Sequence, residues 1–336
     1  MSIFPTQYSV LAATALTAHV AEHYALPLTT GRLLLHGVSD TYRLDGPATP
    51  YILKVYRAAH RSEAEIRGEV ELLLHLQAGG SRVAPPLPDR HGHYLQRFEA
   101  AEGPRFGVLF AFAPGQNEYD LNDAQVRATA REMARLHQLT EGLTLDHLRP
   151  GYDAARCIAE PLQRLAPVFA TQGYPEGHAW LVETAARTEA QLAALGPASF
   201  SHGYCHFDFL PKNFHFDAHD QLTFFDFDFA GPGYLAYDVM TFFAHYFLHT
   251  LTRRIPAAEA AQARQLFIDT YREIRPLTDA ELAAIPALGF RWWLFFLAYA
   301  AEHFDDWSNS FFGPRYVRER VGLIRQWVEL DGGMKQ

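Results

Sequence analysis

Between residues 206 and 228 three side chains stand at a spacing that can move a phosphoryl group. Asp208 precedes Asn213 by five residues, and Asp226 follows across a short polar turn. Phosphoryl transfer to a hydroxyl needs a carboxylate that orients the hydroxyl and takes its proton. It also needs oxygen ligands that hold a divalent cation on the nucleotide phosphates. Asp208 fits the first task, and Asn213 with Asp226 fits the second. An amide oxygen plus a carboxylate suits Mg²⁺, which fills its remaining positions with water and phosphate oxygens. The run reads His206-Phe-Asp-Phe-Leu-Pro-Lys-Asn213, then Leu222-Thr-Phe-Phe-Asp-Phe-Asp228. It matches H-x-D-x-x-x-x-N followed by D-F at every fixed position. Alone, Asp208 would read as a turn carboxylate and Asn213 as a turn amide; the set is what points to chemistry. His206 is expected to be buried and hydrogen-bonded beneath the loop. Asp226 closes an apolar strand, and Asp228, two residues on, is expected on the same side, behind the metal ligands or purely structural.

Competing motifs fail on register or context. His202-Gly203-Tyr204 starts like the same pattern, but a tyrosine stands where the acid belongs and Asn213 is too far on. His202, Cys205, His206 and His215 do not make a zinc pattern. Ser39 and Ser201 lack a G-x-S-x-G context, and the chain has no G-x-x-x-x-G-K-[ST] phosphate loop.

The elements that must position these groups can be read upstream. Lys54 lies inside the apolar run Tyr51-Ile-Leu-Lys-Val-Tyr56. A cation there is costly unless it is paired or faces a ligand, so it is a candidate for nucleotide phosphates. Its partner should come from the next helix, expected over Glu63–Gln77 and stopped by Gly79-Gly80. Glu69 shares the inward face with Leu73 and Leu76 and is the chosen partner; Glu63, Glu65 and Glu71 read as solvated. In the turn from Gly37 to Tyr42, backbone N–H groups with the Ser39 or Thr41 hydroxyl would lie over phosphates. The same residues also read as a plain hairpin.

Strands are expected at Arg32–Leu35, Thr41–Leu44, Tyr51–Tyr56, His93–Phe98 and Gly107–Phe112, with the helix inserted after the third. Ala113-Pro114-Gly115 breaks the chain. Helices follow, roughly over Asn122–Thr140, Tyr152–Ala166, His178–Leu195, Tyr234–Thr250, Ala257–Arg275, Asp279–Phe304 and Pro314–Leu330. The chain is thus read as α+β, with a β-rich nucleotide-binding part over residues 1–113 and a mainly helical part over 114–336 that carries the loop and the acceptor pocket.

Composition narrows the partners. The net charge of −9 argues against a general nucleic-acid binder and mildly favours cationic substrates. Two cysteines, Cys157 and Cys205, lie far apart and make neither a disulfide framework nor a metal spacing, as expected of a reducing cytoplasm. The first 26 residues lack a positive leader and read as an amphipathic helix. The run Phe290–Ala301 is apolar but too short to span a bilayer, so no membrane role is expected. Oligomeric state is not legible. Trp292, Trp293, Glu302, Asp305, Asp306 and Trp307 gather late in the chain. They read either as an acceptor pocket, with carboxylates for an ammonium and indole faces for cation–π contact, or as a core helix with a solvated acidic end.

As a set, HFDFLPKN, TFFDFDFAGPGYLAYD, YILKVYR, the Glu69-x-x-x-Leu73-x-x-Leu76 helix, VLFAFAPG at 108–115 and ARLHQLT at 134–140 resemble the aminoglycoside phosphotransferase and choline kinase-like family. The resemblance runs over about residues 30–250. It implies a bilobal protein-kinase-like fold with ATP and Mg²⁺ in a cleft between the lobes and adenine on hinge backbone around Phe110–Phe112. It also implies that Asp238 is a structural carboxylate bracing the catalytic loop. The sequence departs from the family at Phe207, where glycine is usual, and at Leu210 and Lys212, where His and Gly are common. Asp40 replaces a common Asn. Three activities stay open: a kinase for a small hydroxylated, amine-bearing acceptor (an amino alcohol, homoserine-like or aminoglycoside-like molecule), a protein Ser/Thr kinase of the bacterial stress-kinase type, or a nucleotide-binding regulator that does no catalysis.

Overall fold

Turn residues and β-branched or aromatic runs pair into one antiparallel sheet in the first part of the chain. The structure, a computed structural model, describes residues 4–303, 312–330 and 332. It divides into two compact units. The first reaches Pro114 and takes in Leu145–Leu148, and the second takes Gly115–Thr144 and the described residues from Arg149 on.

The first unit opens with helix α1 (Ala13–Tyr24) and strands β1 (Thr30–His36), β2 (Ser39–Asp45) and β3 (Tyr51–Tyr56). Helix α2 (Glu63–Ala78) follows, then β4 (Pro86–Leu87), β5 (Leu95–Ala100) and β6 (Gly103–Ala111). The sheet order is β1-β2-β3-β6-β4, with β5 also paired to β6. Its core forms where Leu16 and Val20 of α1 meet Tyr42, Leu44, Leu53, Val55, Phe98 and Leu109. Helix α2 starts at a capping box, in which the Ser62 side chain accepts from the Glu65 N–H and Glu65 accepts from the Ser62 N–H. Ser62→Ala is expected to cost about 1 kcal/mol and to lower the melting temperature without touching the chemistry.

Two polar residues behave differently from expectation here. Asp40 is not a loop residue but sits in β2, fully buried. It accepts from Arg105 at 3.0 Å and from His36 at 2.9 Å. Glu71, read as solvated, accepts the Asp146 N–H at 2.7 Å and the His147 N–H and Nδ1 at 3.1 Å each. It thereby ties residues 145–148 to α2. Burial alone would raise its carboxyl, but these donors outweigh it and hold it below the ordinary glutamate value.

The second unit contains α3 (Asp123–Thr140), α4 (Glu160–Thr171), α5 (Pro175–Ala194), strands β7 (His202–Cys205), β8 (Phe214–Phe216), β9 (Leu222–Phe224) and β10 (Gly231–Tyr234), and helices α6 (Ala236–Leu251), α7 (Ala257–Arg272), α8 (Asp279–Ala283), α9 (Ile285–His303) and α10 (Pro314–Glu329). Two expected helices are broken by proline. The stretch from Tyr152 begins as a π-turn, Ala155–Ala159, before α4, because Pro161 has no N–H for the regular ladder. The stretch from Asp279 splits into α8 and α9, with Pro286 in the first turn of the latter. α9 is apolar nearly all round and packs in the middle of the unit. Among the described residues no helix is long and apolar enough to cross a membrane.

Candidate active site

Two small antiparallel pairs frame the loop that carries the acids. β7 lies beside β10, with Cys205 opposite Gly231, and β8 lies beside β9, with Phe214 opposite Phe224. A strap over residues 115–117 fastens the β8 end. Gln116 and Phe216 exchange backbone bonds of 3.1 and 2.9 Å, and the Asn117 amide donates to the carbonyls of Pro211 and Phe214 at 2.8 and 2.9 Å. Gly115 starts the strap at φ +87°, and a Cβ there would lie 1.9 Å from the Phe216 carbonyl oxygen. Only glycine fits both the conformation and the space.

The loop's backbone is clamped at Phe207. Its φ of 65° lies in the left-handed region, where a bulky residue pays roughly 1–2 kcal/mol. Its N–H donates to Asp238 Oδ1 at 2.7 Å, its carbonyl accepts the Trp292 indole N–H at 2.7 Å, and its ring stacks on Tyr152 at 3.4 Å. Asp238 Oδ2 also accepts the His206 N–H at 2.8 Å and His137 Nε2 at 3.0 Å. Behind it the chain continues: His137 Nδ1 meets the Tyr271 hydroxyl at 2.7 Å, and Arg275 donates to that hydroxyl at 2.8 Å. Each donor thus finds one acceptor only if His137 is neutral with its proton on Nε2. Burial lowers the His137 pKa in the same sense.

His206 is buried. Its Nε2 donates to the Phe225 carbonyl at 3.0 Å, and its Nδ1 accepts the Asp208 N–H at 3.3 Å. Asp208 is buried. Its Oδ2 receives the Asn213 amide at 3.0 Å and the Lys212 ammonium at 2.8 Å. The Asn213 amide nitrogen also donates to the Asp208 carbonyl at 2.8 Å. This turns the Asn213 oxygen away from Asp208 and leaves Asp208 Oδ1 as the atom able to meet a hydroxyl.

Asp226 and Asp228 do not share a side. β9 ends at Phe224, Asp226 adopts φ 62°, and residues 227–229 form a 3₁₀ turn. Period-two alternation stops with the strand, so Asp226 is exposed while Asp228 is buried. Arg149 holds the turn. Its Nε donates to Ala230 at 2.8 Å, and its Nη2 to the carbonyls of Phe227, at 3.2 Å, and Asp228. The Tyr152 hydroxyl donates to the Phe229 carbonyl. Asn213 and Asp226 thus present an amide oxygen and a carboxylate on braced backbone, a donor set suited to Mg²⁺ shared with phosphate oxygens. Among the described residues no three His, Cys, Asp or Glu side chains are grouped to hold a metal by themselves.

In the first unit Lys54 and Glu69 are both buried, with Nζ 4.0 Å from Oε1. Gly37 lies in the β1–β2 turn, its N–H donating to the Ser39 carbonyl at 3.1 Å, and Ser39 is buried opposite Tyr56. Phe110 lies inside the sheet between Ile52 and Pro86, while Phe112 lies just past the strand's end, 5.2 Å from the Arg43 guanidinium.

Of the late aromatic and acidic residues, Trp292 is buried and donates to the Phe207 carbonyl, whereas Glu302 pairs with Arg164. Asp305, Asp306 and Trp307 lie outside the described residues. Trp292→Phe removes the donor to the Phe207 carbonyl. A loss of about 1–3 kcal/mol in thermal stability with a fall in kcat is expected, the acceptor KM staying near wild type. An acceptor KM that rises with an unchanged melting temperature would instead make Trp292 a pocket wall.

Residues missed in the sequence include Arg149, Tyr152, Tyr271 and Arg275. They act through backbone or through one another across large sequence separations, which periodicity does not report. His137 was visible only inside the ARLHQLT run. Lys212 stood in the loop itself, noted as a departure and given no role.

The model of the phosphotransferase enzyme family matches residues 30–277. A homoserine kinase of Rhizobium johnstonii is 27% identical over 84% of this chain and 83% of its own length. The amicoumacin kinase of Bacillus subtilis is 28% identical over 66% of this chain and 65% of its own. The structure of a microcompartment-associated aminopropanol kinase superposes with a TM-score of 0.71 at 22% identity, covering 96% of this chain and 100% of that one. The fold is therefore the protein-kinase-like one.

Proposed function

The chain belongs to the phosphotransferase enzyme family, and we propose that it moves the γ-phosphate of ATP, in the presence of Mg²⁺, onto a hydroxyl of a small amine-bearing acceptor. That it is a small-molecule-kinase-like phosphotransferase acting on hydroxyl groups follows from the family and its kinase relatives; the acceptor class and the residue roles are the proposal. The observation that carries it is the Asp208 site, a buried carboxylate whose Oδ2 is engaged by Asn213 and Lys212, which leaves Oδ1 for the acceptor hydroxyl. The acceptor oxygen forms a bond to the γ-phosphorus as the bond to the β,γ-bridging oxygen breaks. The electron pair leaves with ADP, and the hydroxyl proton passes to Asp208 Oδ1. Asn213 and Asp226 would hold Mg²⁺, which neutralises phosphate charge when bound. Lys54, paired with Glu69, would meet phosphate oxygens, with the Gly37–Ser39 turn beside them, and the backbone at Phe110–Phe112 would meet the base.

The relatives named for homoserine, amicoumacin and aminopropanol support an amino-alcohol, homoserine-like or aminoglycoside-like acceptor. The acidic charge of the chain is in keeping with a cationic one. Cys157 and Cys205 are free thiols buried in the second unit, which suits a reducing cytoplasm. The test is a thermal-shift and phosphate-transfer screen of amino alcohols, homoserine and aminoglycosides with ATP and Mg²⁺. Transfer to at least one of them is expected. Label appearing only on protein substrates would establish a protein Ser/Thr kinase instead. Nucleotide binding with no turnover on any acceptor would establish a regulator.

A further inference from the structure

We propose that Lys212 is a further catalytic residue, a cation shared between Asp208 and the transferred phosphoryl group; this rests on the phosphotransfer reading above. The Lys212 Nζ stands 2.8 Å from Asp208 Oδ2. Its stem leaves the 3₁₀ turn Pro211–Asn213 with the side chain 53% exposed, so the ammonium can move by the reach of a flexible four-carbon chain. A lysine side chain is an ammonium at neutral pH, and this one stands against the carboxylate that the chemistry uses.

The reaction supplies a reason for a cation here. The acceptor oxygen has to sit between the Asp208 carboxylate and the γ-phosphoryl oxygens, two anionic groups that repel each other. A point charge with three donors placed on Asp208 Oδ2 can keep that bond and offer another N–H to a phosphoryl oxygen. Charge spreads over those oxygens in the loose transition state, where a fixed donor counts most. In a loose transition state the hydroxyl proton leaves late, and Asp208 acts chiefly by orienting it. The bland alternative is a tether that merely parks the Asp208 side chain. It predicts a loss of order at Asp208 and nothing specific to phosphate.

The test compares wild type, Lys212→Ala and Lys212→Arg as full chains, with melting temperatures as a folding control. ATP turnover is read with the best acceptor and with water alone. In Lys212→Ala, kcat is expected to fall by about 10²–10³-fold, the cost of one transition-state donor, with the KM for ATP changing little. Lys212→Arg, which keeps the charge, should recover most of that loss. A Lys212→Ala enzyme within about threefold of wild type, or a loss that follows the melting temperature and that Lys212→Arg does not recover, overturns the assignment. Wild-type protein that turns over ATP with no acceptor and not with water overturns the phosphotransfer reading itself, and the role of Lys212 with it.

Discussion

Asp208→Ala is expected to lower kcat by about 10²–10⁴-fold, the range for a positioned proton acceptor, while leaving nucleotide affinity within a few-fold of wild type. The separation of these two effects comes from the geometry. The Asn213 amide donates both to Asp208 Oδ2 and to the Asp208 backbone carbonyl, at 3.0 and 2.8 Å. Truncation to alanine removes the first bond and keeps the second, so the candidate metal ligand stays oriented. His206 likewise bonds the Asp208 N–H rather than its side chain, so the loop's path survives. Lys212 loses its partner but is already exposed, so no buried charge is stranded. Isothermal titration with ATP and Mg²⁺, run beside steady-state turnover, reads both quantities. Turnover close to wild type would remove Asp208 from the chemistry and leave the protein as a phosphotransferase that uses some other base.

Much of this site was visible from residue types and spacing, for a physical reason. Asp208, Asn213 and His206 lie within one loop, so their separation in sequence limits their separation in space, and all three come together. Asp226 and Asp228 show where that logic stops. Strand alternation carried to Asp228 runs four residues past the end of β9 at Phe224, and a left-handed Asp226 followed by a 3₁₀ turn sends the two carboxylates apart. The position of Trp292 was noticed, but not its contact: aromatic content cannot say that an indole N–H meets the Phe207 carbonyl 85 residues away. Glu71 reads as solvated from sequence because its partners, Asp146 and His147, come from another stretch of the chain. Proline breaks at Pro161 and Pro286 were readable in principle, since each lacks the N–H that a continuous helix needs. Long-range polar pairing is the information that one sequence carries least.

Asp238→Ala is the substitution expected to damage both stability and activity most outside the chemistry. The carboxylate is fully buried and accepts three hydrogen bonds, from the His206 and Phe207 N–H groups and from His137. Removing it leaves three buried donors without an acceptor, each worth about 1–3 kcal/mol, so a total loss of about 3–5 kcal/mol is expected, as for breaking a buried charged contact. The activity loss should exceed what unfolding explains. Phe207 holds φ 65° only because its N–H and carbonyl are both pinned, and with the N–H released the peptide can relax and carry Asp208 with it. At a temperature where the variant is still fully folded, kcat should therefore remain well below wild type. The same network sets a pH limit. His137 is neutral in the fold and its pKa is lowered from 6.5, so the unfolded chain binds the proton more readily. Stability is then complete above about pH 6.5 and is lost as the pH falls below it. His245, pushed down to about 4 by burial, adds a loss of the same sign over the same fall. His137→Phe should weaken the first part of this acid limb while keeping the Asp238 bonds to the loop backbone. Urea melts of wild type, His137→Phe and Asp238→Ala between pH 5 and pH 8 measure all three effects. An Asp238→Ala protein with wild-type stability and turnover would mean that the loop is held by Trp292 and the Tyr152–Phe207 stack alone.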